Sequence, residues 1–506
     1  EVMYIAAEVY YRHGQFKEAV KRLKVLFDYD PSSEFAAYAV FTMLDCYQRL
    51  KQWQKVEEWA RKLIQAKNFR VKSKAELEKI VAIAVTENAR LLSMERRYSE
   101  ALKEAIRVYE EFRKDEKTAS KALFNVAALY EAQKNLEMAV KTYLRVVKEF
   151  PKSEVAPEAL FTVALIYESQ TQFEKAAEYF ERLEKFKDYP ETPTALRNAG
   201  LIREALGDYA GAIAVYKKFV KMFPKHSDTP AIGLRIGTIY QERMGKAGLQ
   251  KAHLEFTQWL NTYKGANPLV VEALTRDGSV LKAMDRIKNR GVATKLFEEA
   301  LRTFSRLTKP EEFSKAKKFA AQSAFEIADY AFEDFSAIKI PSTLSTHVLA
   351  KAVTAKAEAL KKAEARFEQV LQYKSGGWSA GALFKIGLLY YSFAKELGDV
   401  PVPESLDPEG QLQYQEFLDQ TAKPVWDKAL KAFERALKLA HDERVYNEFS
   451  KACAEYVVKL NPDGYPVAGD ELVSALHTKD TLASTSFIRT LRRGDIEVKF
   501  VEETSK

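Results

Sequence analysis

From Tyr4 onward, apolar residues recur at helical spacing in two successive blocks, pause at a short polar break, and begin again. The first stretch, YIAAEVYYRHGQFKEAVKRLKVLFDYDP, sets Tyr10, Phe16, Ala19, Leu23 and Pro31 at offsets that return along the chain. They come back as Tyr47, Trp53, Val56 and Ala60, as Tyr98, Ala101 and Ala105, and as Tyr130, Leu136, Ala139, Tyr143 and Pro151. Tyr167, Phe173, Ala176 and Phe180 follow, then Gly200, Tyr209, Ala212, Tyr216 and Pro224. The echo is close enough that FPKSEVAPEAL at 150–160 returns as FPKHSDTPAIG at 223–233. Apolar positions at i, i+3, i+4 and i+7 predict amphipathic helices, and breaks as short as RHG or LGD predict that consecutive helices fold back on each other.

Small residues in each first helix (Ala7, Ala127, Ala164, Gly200, Gly237) and an alanine early in each second helix allow close helix approach. An aromatic just before that alanine fills the space between units, and proline closes the second helix because it cannot continue one. Carried through many units, this pattern resembles the tetratricopeptide repeat. The resemblance implies an all-α fold, a right-handed superhelical solenoid of antiparallel helix pairs. Phe16, Trp53, Tyr98, Leu136, Phe173 and Tyr209 are spaced more widely than the ~34 residues of the repeat consensus, so helices or connections are longer than the minimum.

The array is expected over residues 1–305, in about eight helix pairs, the frame loosening beyond Tyr240. Residues 306–465 are expected to form degenerate, elongated helices of the same kind, two of them long, from Phe313 to Ile338 and from Ser342 to Tyr373. GALFKIGLLYYSFAKEL, with Gly387 and Tyr390, restores the first-helix pattern. A Pro-rich insertion at 398–408 then precedes two predicted helices, Gln411–Leu418 and Pro424–Ala440. The tail, 466–506, is expected to be short of helix. Its LRRGDIEVKFVEETSK alternates Ile496, Val498 and Phe500 and reads either as an edge strand awaiting a partner or as a loose end.

Chemistry adds little. Among 506 residues, Lys+Arg number 79 and Asp+Glu 71, a net charge of +8 spread along a chain that is 47% hydrophobic, so no basic face for nucleic acid is expected. Two distant cysteines, Cys46 and Cys453, and six scattered histidines suggest neither disulfide nor metal site, and no cofactor is expected. No apolar run reaches the ~18 residues of a membrane span. GWSAG (377–381) satisfies the nucleophile-elbow pattern at Ser379, but its flanks read as helix where the elbow needs a strand. Ser314 and Lys317 form an S-x-x-K without the companion motifs it needs, and RMGKAG lacks the upstream glycine and strand of a phosphate cradle. The chain is not expected to be an enzyme.

The resemblance implies a concave wall made by first helices. By phase that wall includes Tyr11, Tyr38, Phe41, Lys121, Phe124, Glu131, Phe161, Leu165, Glu168, Arg197, Leu201 and Glu204. Aromatic and aliphatic anchors mixed with charge suit a protein helix or extended peptide, although the same residues also serve packing between repeats. The Lys/Asn set that grips a free C-terminus in chaperone-tail repeats is not assembled here. The FPKS-type repeat ends, the Pro-rich loop, QTAKP and KAFERALKLA together are similar to large repeat proteins of myxobacterial and related deltaproteobacterial envelopes, including those of gliding-motility machinery. That similarity implies a non-catalytic scaffold in the periplasm or envelope, with the cytoplasm as the alternative compartment. Other proteins are the expected partners, and self-association is left open. Two other roles remain: a client-peptide adaptor in outer-membrane protein assembly, or the non-catalytic arm of a peptidoglycan-acting enzyme.

Overall fold

The computed structural model describes residues 1–66, 74–341, 346–404 and 406–465. Among these residues there are 21 α-helices, one 3-10 turn and no strand, which is the all-α solenoid expected. Residues up to Ser305 form eight consecutive hairpins. They are α1 (Val2–Arg12) with α2 (Phe16–Tyr29), α3 (Glu34–Arg49) with α4 (Trp53–Gln65), α5 (Lys74–Met94) with α6 (Tyr98–Glu111), and α7 (Glu116–Ala132) with α8 (Leu136–Glu149). Then come α9 (Ala156–Ser169) with α10 (Phe173–Arg182), α11 (Thr192–Ala205) with α12 (Tyr209–Met222), α13 (Thr229–Arg243) with α14 (Gly245–Thr262), and α15 (Pro268–Met284) with α16 (Arg290–Ser305). Five longer or irregular helices follow: α17 (Pro310–Ala337), α18 (Thr346–Leu371), α19 (Gly376–Gly398), α20 (Pro408–Asp442) and α21 (Glu448–Leu460). The chain divides into two compact units, one over Glu1–Val215 and one beginning at Tyr216, with the boundary inside α12. Residues 342–345 and the 466–506 tail, with its strand-like Ile496, Val498 and Phe500, lie outside the described residues.

One turn chemistry builds the hairpins. In the first six hairpins the turn after the first helix carries a residue in the left-handed region: Gly14, Lys51, Arg96, Lys134, Thr171 and Gly207, with φ between 54° and 79°. The amide of that residue and the amide after it donate back to the last turn. Gly14 N bonds Tyr11 O at 3.0 Å and Gln15 N bonds Tyr10 O at 2.9 Å; Thr171 N bonds Glu168 O and Gln172 N bonds Tyr167 O, both at 2.9 Å. This pairing satisfies orphan carbonyls and reverses the chain in three residues. Glycine adopts that backbone without cost, whereas β-branched Thr171 does not. Thr171→Gly is therefore expected to stabilise unit 1 by about 0.5–1 kcal/mol, the relief of strain less glycine's extra unfolded-state entropy. Urea unfolding followed by circular dichroism checks the sign.

Helix starts are equally legible. Pro157, Pro193 and Pro230 stand in the first turns of α9, α11 and α13, where a missing N–H costs nothing. Asn447 caps α21 reciprocally with Ser450. The core is the repeating contact between small first-helix residues and second-helix rings. A Cβ on Gly237 would lie 2.5 Å from the Phe256 ring, and one on Gly278 would lie 2.6 Å from that of Phe297. In unit 1, Ala176 of α10 is fully buried. Ala176→Leu should overfill that contact and cost about 1–3 kcal/mol, read as a lowered urea midpoint.

One helical boundary departs from expectation. The segments predicted as Gln411–Leu418 and Pro424–Ala440 form the single 35-residue α20, with Pro424 inside it. Proline removes one N–H and opposes the carbonyl four residues back. The helix nevertheless runs on, because Leu418 and Ala422 before the proline and Ala429, Ala432 and Phe433 after it are all buried, and α20 packs extensively on α19. Thr421 Oγ1 donates to Phe417 O at 2.7 Å within the same turn.

Candidate protein-binding face

All twelve candidate residues fall on first helices of unit 1: α1, α3, α7, α9 and α11. The turn residues Lys134, Thr171 and Gly207 are 37 and 36 residues apart, and the same intervals relate the inner-face side chains. Phe124, Phe161 and Arg197 therefore occupy one repeat position. Ala128, Leu165 and Leu201 occupy the next, and Glu131, Glu168 and Glu204 a third, in the last turn of each helix. The result is a row of apolar side chains flanked by a row of three carboxylates. Carboxylates at helix C-termini face the negative end of the helix dipole, which opposes their charge.

At the N-terminal end the candidates brace neighbouring repeats. Tyr11 Oη donates to Asp45 Oδ2 at 2.5 Å, and Arg49 Nε bonds the same oxygen at 2.7 Å. The Asp45 hydrogen bond raises the Tyr11 phenol above its ordinary range, with burial adding to it. Arg49 also lies over the Tyr11 and Phe16 rings. Tyr38 is 50% exposed and touches Tyr4 at a ring distance of 6.2 Å, while Phe41 is half-buried. Tyr11 is thus engaged in repeat stacking, and Tyr38 is the open aromatic at this end.

On α7 the candidates are buried: Lys121 is 8% exposed, Phe124 3% and Glu131 6%. Phe124 meets Tyr143 edge-on at 5.1 Å, and the Tyr143 hydroxyl donates to Glu131 Oε2 at 3.1 Å. Phe161 on α9 contacts the Phe180 and Tyr189 rings at 5.5 and 6.3 Å. Leu165, Glu168, Arg197, Leu201 and Glu204 are half-buried. Glu168 has no hydrogen bond or ion pair to its carboxylate from any described residue, and burial alone raises its pKa above the usual carboxylate range.

The catalytic motifs find no supporting geometry. Ser379 is buried within α19, its amide donating to Ser375 O at 2.8 Å as in any helix, and Ser314 and Lys317 both lie along α17. Cys46 and Cys453 are buried free thiols, pushed up by burial to about 11 and about 12. Among the described residues no cluster of three or more His, Cys, Asp or Glu could hold a metal, and no helix is long and apolar enough to cross a membrane.

Sequence reasoning missed the strongest electrostatic cluster, in the second unit. Asp329 of α17 accepts from Lys282 Nζ and Arg286 Nη2 at 2.9 and 2.8 Å and pairs with Lys385 Nζ at 2.9 Å. Lys282 also reaches Glu326 at 2.5 Å, and Arg286 pairs with Glu333. The signal was Glu326, Asp329 and Glu333 at spacings of three and four on one helix face; their cationic partners come from α15 (Lys282), the connection after it (Arg286) and α19 (Lys385), far away in sequence.

Family profiles of the tetratricopeptide repeat match residues 161–227, and separately residues 1–33 and 121–153. A TPR repeat-containing protein of Treponema pallidum (strain Nichols) is 35% identical over 99 residues, which are 20% of this chain and 41% of that protein. The match thus spans about two fifths of that relative's length. Among solved structures, yeast Tom70 is 10% identical with a TM-score of 0.33, covering 94% of this chain and 91% of its own. A tetratricopeptide repeat protein from Parabacteroides merdae is 14% identical with a TM-score of 0.29, covering 68% of this chain and 99% of its own.

Proposed function

We propose that this chain, in which residues 1–33, 121–153 and 161–227 match the tetratricopeptide repeat, is a non-catalytic scaffold that holds segments of other proteins against the first helices of unit 1. The observation that supports it is the register of the inner face. An apolar row of Phe161, Leu165 and Leu201, half-buried on α9 and α11, runs beside Glu168 and Glu204, and the same two rows continue on α7 into the buried Phe124 and Glu131. Apolar anchors in such a face supply affinity, and the flanking charges select the partner. A row repeated over three helices fits a ligand that is itself periodic, an extended chain or a helix.

Its setting, on this reading, is a bacterial envelope complex in the periplasm, of which gliding-motility machinery is the type proposed. Crosslinking of the native protein in its source organism, followed by mass spectrometry of linked peptides, tests both parts. Reproducible links from α9 and α11 to a few envelope proteins are expected. Links only to cytoplasmic proteins overturn the setting, and links to a diffuse set of nascent chains overturn the scaffold in favour of a client-binding adaptor.

A further inference from the structure

A single exposed aliphatic side chain is ordinary on a protein surface. Ile287 of the second unit differs in how it is held. It stands 90% exposed in the middle of the α15–α16 turn, 285–289, which is longer than the three-residue turns of the first six hairpins. The turn is pinned from several sides. Asp285 Oδ1 accepts from the amides of Ile287 and Lys288 at 3.1 and 2.9 Å, and Asn289 Nδ2 donates to Leu281 O at 2.9 Å. Arg286 pairs with Asp329 and Glu333, while Arg290 donates to both oxygens of Asp334 at 2.8 Å and to Tyr330 O at 3.2 Å. The Asp329 cluster thus braces this turn against α17. Lys288 stands beside Ile287, and its ammonium pairs with no carboxylate among the described residues. Met284 and Val292, on either side of the turn, are 37% and 55% exposed. An apolar anchor that is rigid before binding loses little freedom when it docks.

The same end of α17 leads into a cleft, also in the second unit. The chain leaving α17 and the C-terminal end of α19 enclose about 220 Å³ between them. Ile340, Pro341 and Val400 give the cleft apolar walls, and Lys339, Glu396 and Asp399 supply its charge. Its shape is fixed by the fully buried Lys356, which donates to Ile338 O and Glu396 Oε1 at 2.6 and 2.8 Å. Ile340 N donates to the other Glu396 oxygen at 3.1 Å. Glu396 is thereby occupied, whereas the Asp399 carboxylate accepts from no described residue. The cleft is smaller than the ~300 Å³ at which small-molecule sites begin. Three apolar walls beside one open carboxylate match a branched aliphatic side chain next to a lysine.

We propose that two copies of this chain pair by exchanging these features, Ile287 of each entering the other's cleft and Lys288 meeting Asp399. The two features lie close together. Arg290 holds Asp334, and Lys339 follows five residues later, roughly 8 Å at helical rise. Neighbouring, complementary features suit a twofold pair, in which each contact is made twice and assembly stops at two. The charges also match: Lys288 meets a carboxylate at the C-terminal end of α19, where the helix dipole adds negative potential. Two exchanged anchors by themselves bury less than the ~1,200 Å² of a standard interface. The dimer is therefore weak and reversible, with a Kd on the order of 10 μM.

The test is sedimentation velocity on the full chain from about 1 to about 200 μM, a span that brackets this affinity. The unaltered chain is expected to pass from monomer to dimer across it. Ile287→Asp should weaken the dimer at least about tenfold, and Lys288→Glu or Asp399→Lys alone about tenfold, since each change is repeated across the twofold axis. Combined in one chain, Lys288→Glu and Asp399→Lys should restore most of the affinity, because the exchanged charges meet again. Ile287, Lys288 and Asp399 are all exposed, so unchanged melting by circular dichroism is expected of every variant. A chain that stays monomeric to the top of the range, a dimer that Ile287→Asp leaves intact, or a charge exchange that fails to restore affinity overturns the proposal. Species that grow past the dimer overturn the twofold pairing. Crosslinks in the cell from Lys288 to another protein, with the chain itself monomeric, overturn the second copy as occupant. The peptide face of unit 1 is untouched by any of these results and stands or falls on the links from α9 and α11.

Discussion

Phe433→Ala is expected to destabilise the second unit by about 3–5 kcal/mol, the range for removing a fully buried phenylalanine. The ring is inaccessible to solvent in α20, stacks on Tyr456 at 4.9 Å and lies 5.8 Å from Phe384. It also fills the notch left by Gly387 of α19, where an added Cβ would lie 2.5 Å from a ring carbon. Gly237 with Phe256 and Gly278 with Phe297 show the same fit, so the contact is the unit from which the array is built. Repeat arrays are held by nearest neighbours, so the loss should stay local. Hydrogen exchange should rise in α17 to α21 and remain unchanged in α1 to α11. The two sides of the contact should also be coupled. Gly387→Ala alone overpacks the notch, at a cost of about 1–3 kcal/mol, but should cost much less once Phe433 is alanine. An evenly distributed rise in exchange, or strictly additive losses, would show that the contact is not what holds these helices.

That contact was legible in the sequence because it is local and repeated. Small residues in first helices and rings in second helices recur at fixed offsets, and short polar breaks mark the turns. The ring that fills the notch, however, stands four residues after the second-helix alanine (Ala252 to Phe256, Ala293 to Phe297, Ala429 to Phe433) and is not the aromatic just before it, to which the sequence pattern points. The same periodicity aligns Glu131, Glu168 and Glu204, so the acidic row could be placed on successive helices without coordinates. Pro424 was misread because a local rule, that proline ends a helix, competes with burial on both sides of it, which only the packed structure reveals. The enclosure of α7 was also hidden. Phase places Lys121 on the open wall, yet both it and the polar Asn125 are buried, because burial depends on what lies above them. The Asp329 cluster was half visible: the acids of α17 share a face by spacing, but Lys282, Arg286 and Lys385 join them only through folding. Pattern shows which residues share a helix face, and contacts between distant helices lie beyond it.

Asp329→Ala should cost about 3 kcal/mol, the low end of the range for breaking a buried ion pair. Asp329 is buried beside Lys282, Lys385 and Arg286, the last of which stays partly in water and keeps Glu333 as a partner. Glu326 likewise continues to hold Lys282. What remains uncompensated is chiefly Lys385, whose ammonium also lies over the Phe332 ring at 4.4 Å. Burial pushes the Asp329 carboxyl up, but the charges of Lys385 and Lys282 and the hydrogen bonds from Arg286 and Lys282 outweigh it and hold the group well below the usual carboxylate range. The sign of the pH dependence follows. A carboxylate whose folded pKa is depressed contributes fully above its unfolded pKa, about 3.9, and the contribution disappears as pH falls toward the folded value. The gap in urea midpoint between the unaltered chain and Asp329→Ala should therefore be constant from pH 5 to 8 and should narrow steadily below about pH 4. Salt should close little of the gap at neutral pH, because buried pairs are weakly screened. A gap that stays constant down through pH 3, or vanishes in molar salt at pH 7, would show that Asp329 acts by packing or as an exposed surface charge instead of as the buried anion binding α15, α17 and α19.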